Sequence, residues 1–170
     1  MFHSGLVDTK PLHKFLDNFF EAHGGEIKRK VVALTVDTNS GSTIQFNETE
    51  PDFVKAIMSS AAIPFMFPNI QYPEQGYVNM DGGVAYGVNL ASAVQRCREV
   101  IDDDSKITID IIMCGSNTTD PAPWTDRNNA YSNFLRFKEI KSHNEDIADI
   151  YEFIQAYPKV NFRYFVAPTK

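Results

Sequence analysis

Apolar residues at Leu12, Phe15, Leu16, Phe19 and Phe20 recur at i, i+3, i+4, i+7 and i+8, the spacing of one broad helical stripe. The pattern predicts a helix that opens at Thr9 with Pro11 near its first turn, runs through His23 and is closed by Gly24-Gly25. Val31 to Val36 is almost continuously apolar, as in a strand covered on both faces of a parallel or mixed sheet. Turn-forming residues from Asp37 to Gly41 then lead into Thr43 to Phe46, its predicted hairpin partner. Glu50-Pro51-Asp52 starts a short helix with Phe53, Ile57 and Met58 on one side, stopped by Pro64, which pushes residue 63 out of the helical region.

Two short strand-like runs follow, the second from Gly76 to Met80, and Val84 to Val88 read as loop. A helix beginning at Asn89 or Leu90 and reaching Ile101 turns Leu90, Ala93, Val94, Cys97 and Ile101 inward. Ile107 to Cys114 is the second predicted core strand. Tyr131 to Phe137 and Asn144 to Tyr157 read as two helices, the latter with Ile147, Ile150, Tyr151 and Ile154 as its core stripe. Val160 to Val166 closes the chain as a strand. Strands alternating with helices point to an α/β sandwich, and 170 residues to one domain.

Composition narrows the function classes. Apolar residues make up 43% and charged ones 22%, as in an ordinary globular protein rather than a disordered one. The net charge of −6 is spread along the chain. It argues against nucleic acid and against electrostatic capture by anionic lipid, both of which need clustered Lys and Arg. Lys28-Arg29-Lys30 is the one basic run and reads as a solvated edge. Cys97 and Cys114 are too few for a disulfide framework, which favours a reduced, cytoplasmic setting. Met1 to Leu6 has neither the basic start nor the apolar core of a secretory signal. No apolar run reaches the roughly 18 residues that span a bilayer.

Several residue types that carry chemistry elsewhere do not assemble into a site. His13 and His23 fall off the apolar stripe on different sides of their helix, which suits surface histidines rather than a metal pair. Asp102-Asp103-Asp104 lacks the ligand alternation of a calcium loop and reads as a solvated turn. Cys114-Gly115, at a strand end, has no histidine assigned to activate it and reads as a buried structural cysteine. Asn117 to Asn129 is too long and polar for a plain connector, and is expected to cover a site or a partner surface.

The stretch Ser59 to Leu90 is different. Asp81-Gly82-Gly83 puts a carboxylate at a strand end followed by two residues that let the backbone turn sharply or another group come close. A rigid strand positions such a group and the loop leaves it reachable. Upstream lie Ser59-Ser60-Ala61-Ala62-Ile63-Pro64 and Phe67-Pro68, and downstream Asn89.

Together these resemble the second half of the patatin-like phospholipase domain. There a small-residue helix end running into A-x-P-x-x-F-P precedes a D-G-G/A box by a short hairpin. The resemblance covers Gly5 to Val166 and is densest from Ser59 to Leu90. It implies a three-layer α/β/α sandwich and a serine acyl hydrolase that cleaves lipid esters by a Ser–Asp dyad. The general base maps onto Asp81, with Gly82 and Gly83 completing the box, and neither metal nor other cofactor is called for. Phe65, Met66, Phe67 and Pro68 are the candidates to line an acyl-chain surface. A lipid ester is the implied partner, and peripheral contact with a membrane is compatible with it.

One departure stands out. The family's G-x-S-x-G nucleophile elbow is missing: Ser4-Gly5, Ser40-Gly41-Ser42 and Gly115-Ser116 all lack its glycine spacing. The chain therefore reads as a patatin-like domain incomplete on its N-terminal side, supplying the base but not the nucleophile. Two alternatives remain open at this level: a non-catalytic relative that binds lipid or protein, and an unrelated α/β domain whose Asp-Gly-Gly is only a turn.

Overall fold

A computed structural model describes residues 5–114, 119, 124–125 and 127–168. The chain has the α/β organisation expected from the sequence, and it divides into two compact units, Met1–Tyr86 and Gly87–Lys170.

The first unit holds α1 (Lys10–Ala22), β1 (Val32–Asp37), β2 (Thr43–Asn47), α2 (Phe53–Ser60), β3 (Ile70–Tyr72) and β4 (Tyr77–Asp81). Its four strands form one sheet in the order β2-β1-β4-β3, with every neighbouring pair antiparallel. The buried run in β1 thus comes from a central antiparallel strand, where a parallel or mixed setting was expected. The predicted hairpin is present, with Val36 opposite Thr43 and Ala33 opposite Phe46. Its turn is locked by Asp37, whose carboxylate accepts from Ser40 N at 3.1 Å and Ser40 Oγ at 2.7 Å.

Helix α2 packs on the sheet, and Ala33, Phe46, Phe53, Ala56 and Tyr72 make the core, with the Phe46 and Tyr72 rings stacked at 4.8 Å. Burying an aromatic or aliphatic side chain of this size contributes about 1.5–3 kcal/mol. Asp52 caps α2 by accepting from Lys55 N at 2.9 Å. The helix stops at Ser60, earlier than Pro64 requires. The Ala62 carbonyl accepts from Asp81 N at 3.0 Å and so serves the sheet instead of a further helical turn. In α1 the apolar stripe is only partly used: Phe20 packs on the core, while Leu12, Phe15 and Phe19 are exposed.

The second unit holds α3 (Leu90–Arg98), β5 (Thr108–Ile112), α4 (Ala130–Ala156) and β6 (Asn161–Val166). β5 and β6 pair in parallel with a register shift between Ile109 and Asp110. Leu90, Val94, Ile107, Ile109, Ile111, Met113, Ile150 and Val160 form its core. α3 ends at Arg98 rather than Ile101, and the Arg98 guanidinium clasps Asp104 at 2.9 and 2.7 Å. α4 is one continuous helix where two were expected. No Pro or Gly interrupts residues 130–156, and the polar stretch between the apolar faces is bridged by Arg136–Glu139 at 2.9 Å and by Lys141–Glu145. Cys114, expected to be buried, is exposed, in step with the alternation that leaves Thr108, Asp110 and Ile112 exposed and buries Ile111 and Met113.

Candidate active site

Asp81 is the last residue of β4, opposite Thr35 of the central strand. Its backbone is fixed on both sides, by that pairing and by the Ala62 carbonyl, so the side chain leaves a rigid point. The chain then drops into a single 3-10 turn, Gly82–Val84, and the carboxylate Oδ1 caps it by accepting from Gly83 N at 2.7 Å. The side chain is half-buried. Burial pushes its carboxyl above the ordinary 3.8, and the Gly83 hydrogen bond offsets part of that rise. Among the described residues no cation pairs with it. A half-buried, unpaired carboxyl with a raised pKa is suited to accept a proton.

The two glycines have different reasons to be glycine. A Cβ on Gly82 would be driven into the backbone carbonyl of Leu34, within 2.7 Å of its carbon. At Gly83 the nearest atom is Asp81 Oδ1 at 3.1 Å, the movable end of a side chain. The local packing thus demands glycine at 82, whereas at 83 an added Cβ would meet a side-chain end and no backbone of another element.

Phe65, Met66, Phe67 and Pro68 lie in the segment between α2 and β3. Phe65 and Met66 are exposed, while Phe67 and Pro68 are intermediate, so none of the four belongs to the buried core. Phe65 has φ +75°, the one described non-glycine residue in the left-handed region. Met66 O accepts from Leu6 N and Val7 N, both at 2.9 Å. Gly5 lies against the same segment, where a Cβ would come within 2.5 Å of the Phe67 carbonyl carbon.

The histidines have local partners: His13 Nδ1 meets Asp17 Oδ2 at 2.8 Å, and His23 Nδ1 meets Phe19 O at 2.7 Å. Among the described residues no group of His, Cys, Asp and Glu could hold a metal ion. Asp104 is tied to Arg98, and Asp103 caps a 3-10 turn through Ser105 N at 3.1 Å. Ser4, Gly115-Ser116 and most of the Asn117 to Asn129 segment lie outside the described residues. No helix among the described residues is long and apolar enough to cross a membrane.

Sequence reasoning passed over two residues. Asp37 is a buried carboxylate that accepts from Val78 N at 3.1 Å, so it fixes β4 as well as its own turn. Its position at the end of an apolar strand, the placement that singled out Asp81, was the available signal. Asn79 is fully buried, and a lone polar residue inside a strand gives no such signal.

No curated protein matches the chain. A family model described as patatin-like phospholipase matches residues 1–94, which takes in α1 through β4, the Asp81-Gly82-Gly83 box and the first half of α3, and stops short of Val166. That span is more than half of the sequence, and the chain belongs to the patatin-like phospholipase family.

Proposed function

We propose that this chain supplies the general base, Asp81, of a lipid acyl hydrolase working by a Ser–Asp dyad, and that the 170 residues alone are inactive. The observation that carries the reading is the half-buried, unpaired Asp81 carboxyl held at a strand end. A serine supplied from outside these residues would meet it at about 3 Å, since no histidine stands between them. In the first half-reaction Asp81 takes the serine proton as the hydroxyl oxygen attacks the ester carbonyl. The alcohol then departs with that proton, leaving an acyl-enzyme. In the second, Asp81 takes a proton from water as the water oxygen attacks the acyl carbon, and the proton returns to the serine as the fatty acid leaves. Exposed Phe65 and Met66, with Phe67 and Pro68 beside them, supply apolar surface for the acyl chain and for peripheral contact with a lipid interface.

The test is fluorophosphonate labelling of a protein that carries this chain together with a G-x-S-x-G serine. Labelling is expected, and Asp81→Asn should abolish it. Undiminished labelling of the variant overturns the assignment. The chain by itself should hydrolyse no ester, and turnover that disappears on Asp81→Ala would overturn its inactivity.

A further inference from the structure

Asn79 stands two residues before Asp81 on β4, so alternation along the strand places both side chains on one face of the sheet. That face carries Thr35 and Asp37, the register partners of Asp81 and Asn79, and Ile70 and Tyr72 of β3. Asn79 is 0% exposed, and neither its Oδ1 nor its Nδ2 has a hydrogen-bond partner among the described residues. Buried amides are nearly always paired, so an orphaned one calls for a reason.

On this face the Tyr72 hydroxyl is likewise buried and, among the described residues, without a hydrogen-bond partner, whereas the other polar groups nearby are engaged. Thr35 Oγ1 donates to Ile44 O at 3.4 Å, and Ser59 Oγ of α2 donates to Lys55 O at 2.9 Å. The Asp37 carboxylate accepts from Ser40 and from Val78 N. Asp81, by contrast, uses only Oδ1, toward Gly83 N. Side chains two residues apart on a strand start about 6.5 Å from each other. An amide and a carboxylate turned toward one another close that gap to a direct hydrogen bond or to one bridged by a single water.

We propose that Asn79 is a positioning residue for Asp81, its amide serving as the polar partner of the carboxyl group in both protonation states that a general base passes through. The ionised carboxylate accepts from Asn79 Nδ2. Once protonated, its O–H donates to Asn79 Oδ1 after the amide turns about χ2. An amide can fill both roles, which no apolar residue and no single-purpose donor can do. The inference rests on Asp81 being the base.

Among the described residues, the other ionisable groups on or against this face include Asp37, Tyr72, Tyr77 and Lys55 of α2, whose Nζ lies 4.1 Å from the Tyr72 ring centre; Glu50 and Asp52 act on Tyr72 from the segment before α2. Asp37 is held below the ordinary carboxylate value and Asp81 above it, while burial raises Tyr72 above 10.0.

The experiment is an NMR titration that follows the Asp81 carboxyl carbon and the Asn79 side-chain amide through the acid range. In the unmodified protein the Asn79 amide should shift with the Asp81 midpoint. In Asn79→Leu, which removes the donor, Asp81 should become about tenfold the weaker acid. Val78→Ala, on the opposite sheet face, should leave that midpoint in place. An Asn79 amide that ignores the Asp81 step, or an unmoved midpoint in folded Asn79→Leu, overturns the proposal. Should Asn79→Leu fail to fold, the unmodified protein decides alone. The titration requires no turnover, so its failure is distinct from a failure of the hydrolase reading, which shows in serine labelling.

Discussion

Gly82 packs so closely against Leu34 that the Leu34 carbonyl occupies the space a side chain would need. The neighbour in question is backbone on the central strand, so it cannot rotate aside. Gly82→Ala should therefore destabilise the protein by about 1–3 kcal/mol, the usual range for overpacking a filled site. Gly83→Ala, which meets only the Asp81 carboxylate, should cost less while displacing that carboxylate. Urea unfolding of the two variants provides the comparison, and equal losses would mean that the Leu34 contact does not dictate the second position of the box.

Asp81 also has a consequence for stability. Its carboxyl is raised above 3.8 by burial. Between 3.8 and that raised value the folded state binds the proton more tightly than the unfolded state, so stability falls as pH rises through this window. Above it the full penalty of an ionised, half-buried group persists. Asp81→Asn keeps an oxygen to accept from Gly83 N and removes the charge. The variant should melt higher than the parent near neutral pH, and the gain should vanish below 3.8. Thermal melts across this range test it, and a lower midpoint at neutral pH would show that the ionised carboxylate is stabilised in the fold rather than penalised by its burial.

Asp37 should behave in the opposite sense. The Ser40 hydroxyl, and next the Val78 amide, hold its carboxyl below 3.8. The stability this provides is fully present above the unfolded value of 3.8 and is lost as pH falls through the lower folded value. Asp37→Ala removes the tie between the hairpin turn and β4, so the variant should be less stable than the parent at neutral pH. The difference should narrow in acid. A constant difference from neutral to acid pH would mean that Asp37 acts by packing alone.

These residues were unequally legible. The apolar run of β1 and the Asp81-Gly82-Gly83 turn could be read because they depend on short-range pattern and glycine chemistry. The stripe on α1 announced a face but not its partner, and only Phe20 of that face meets the first unit's core. In the sequence α4 looks like two helices because a polar stretch interrupts its apolar positions, whereas the backbone needs only the absence of a breaker to continue. Asn79 sits in Val-Asn-Met-Asp, a pattern equally at home on a solvent edge. Its burial is a tertiary fact about the sheet face it shares with Asp81.

The left-handed backbone at Phe65 is another such tertiary fact. A bulky residue at φ +75° carries backbone strain of about 1–3 kcal/mol, and its ring, 69% exposed, returns little of that through burial. Phe65→Gly should relieve the strain. After the roughly 0.5–1 kcal/mol that glycine forfeits to unfolded-state entropy, the net gain should be about 1 kcal/mol. Phe65→Ala removes the same ring but keeps a Cβ in the same conformation, so it should give little or no gain. The difference between the two variants in urea unfolding isolates the backbone contribution from that of the ring. Both should bind phospholipid vesicles more weakly than the parent if the exposed ring contacts lipid. A Phe65→Gly variant less stable than Phe65→Ala would show that the loop is held in this conformation at no cost.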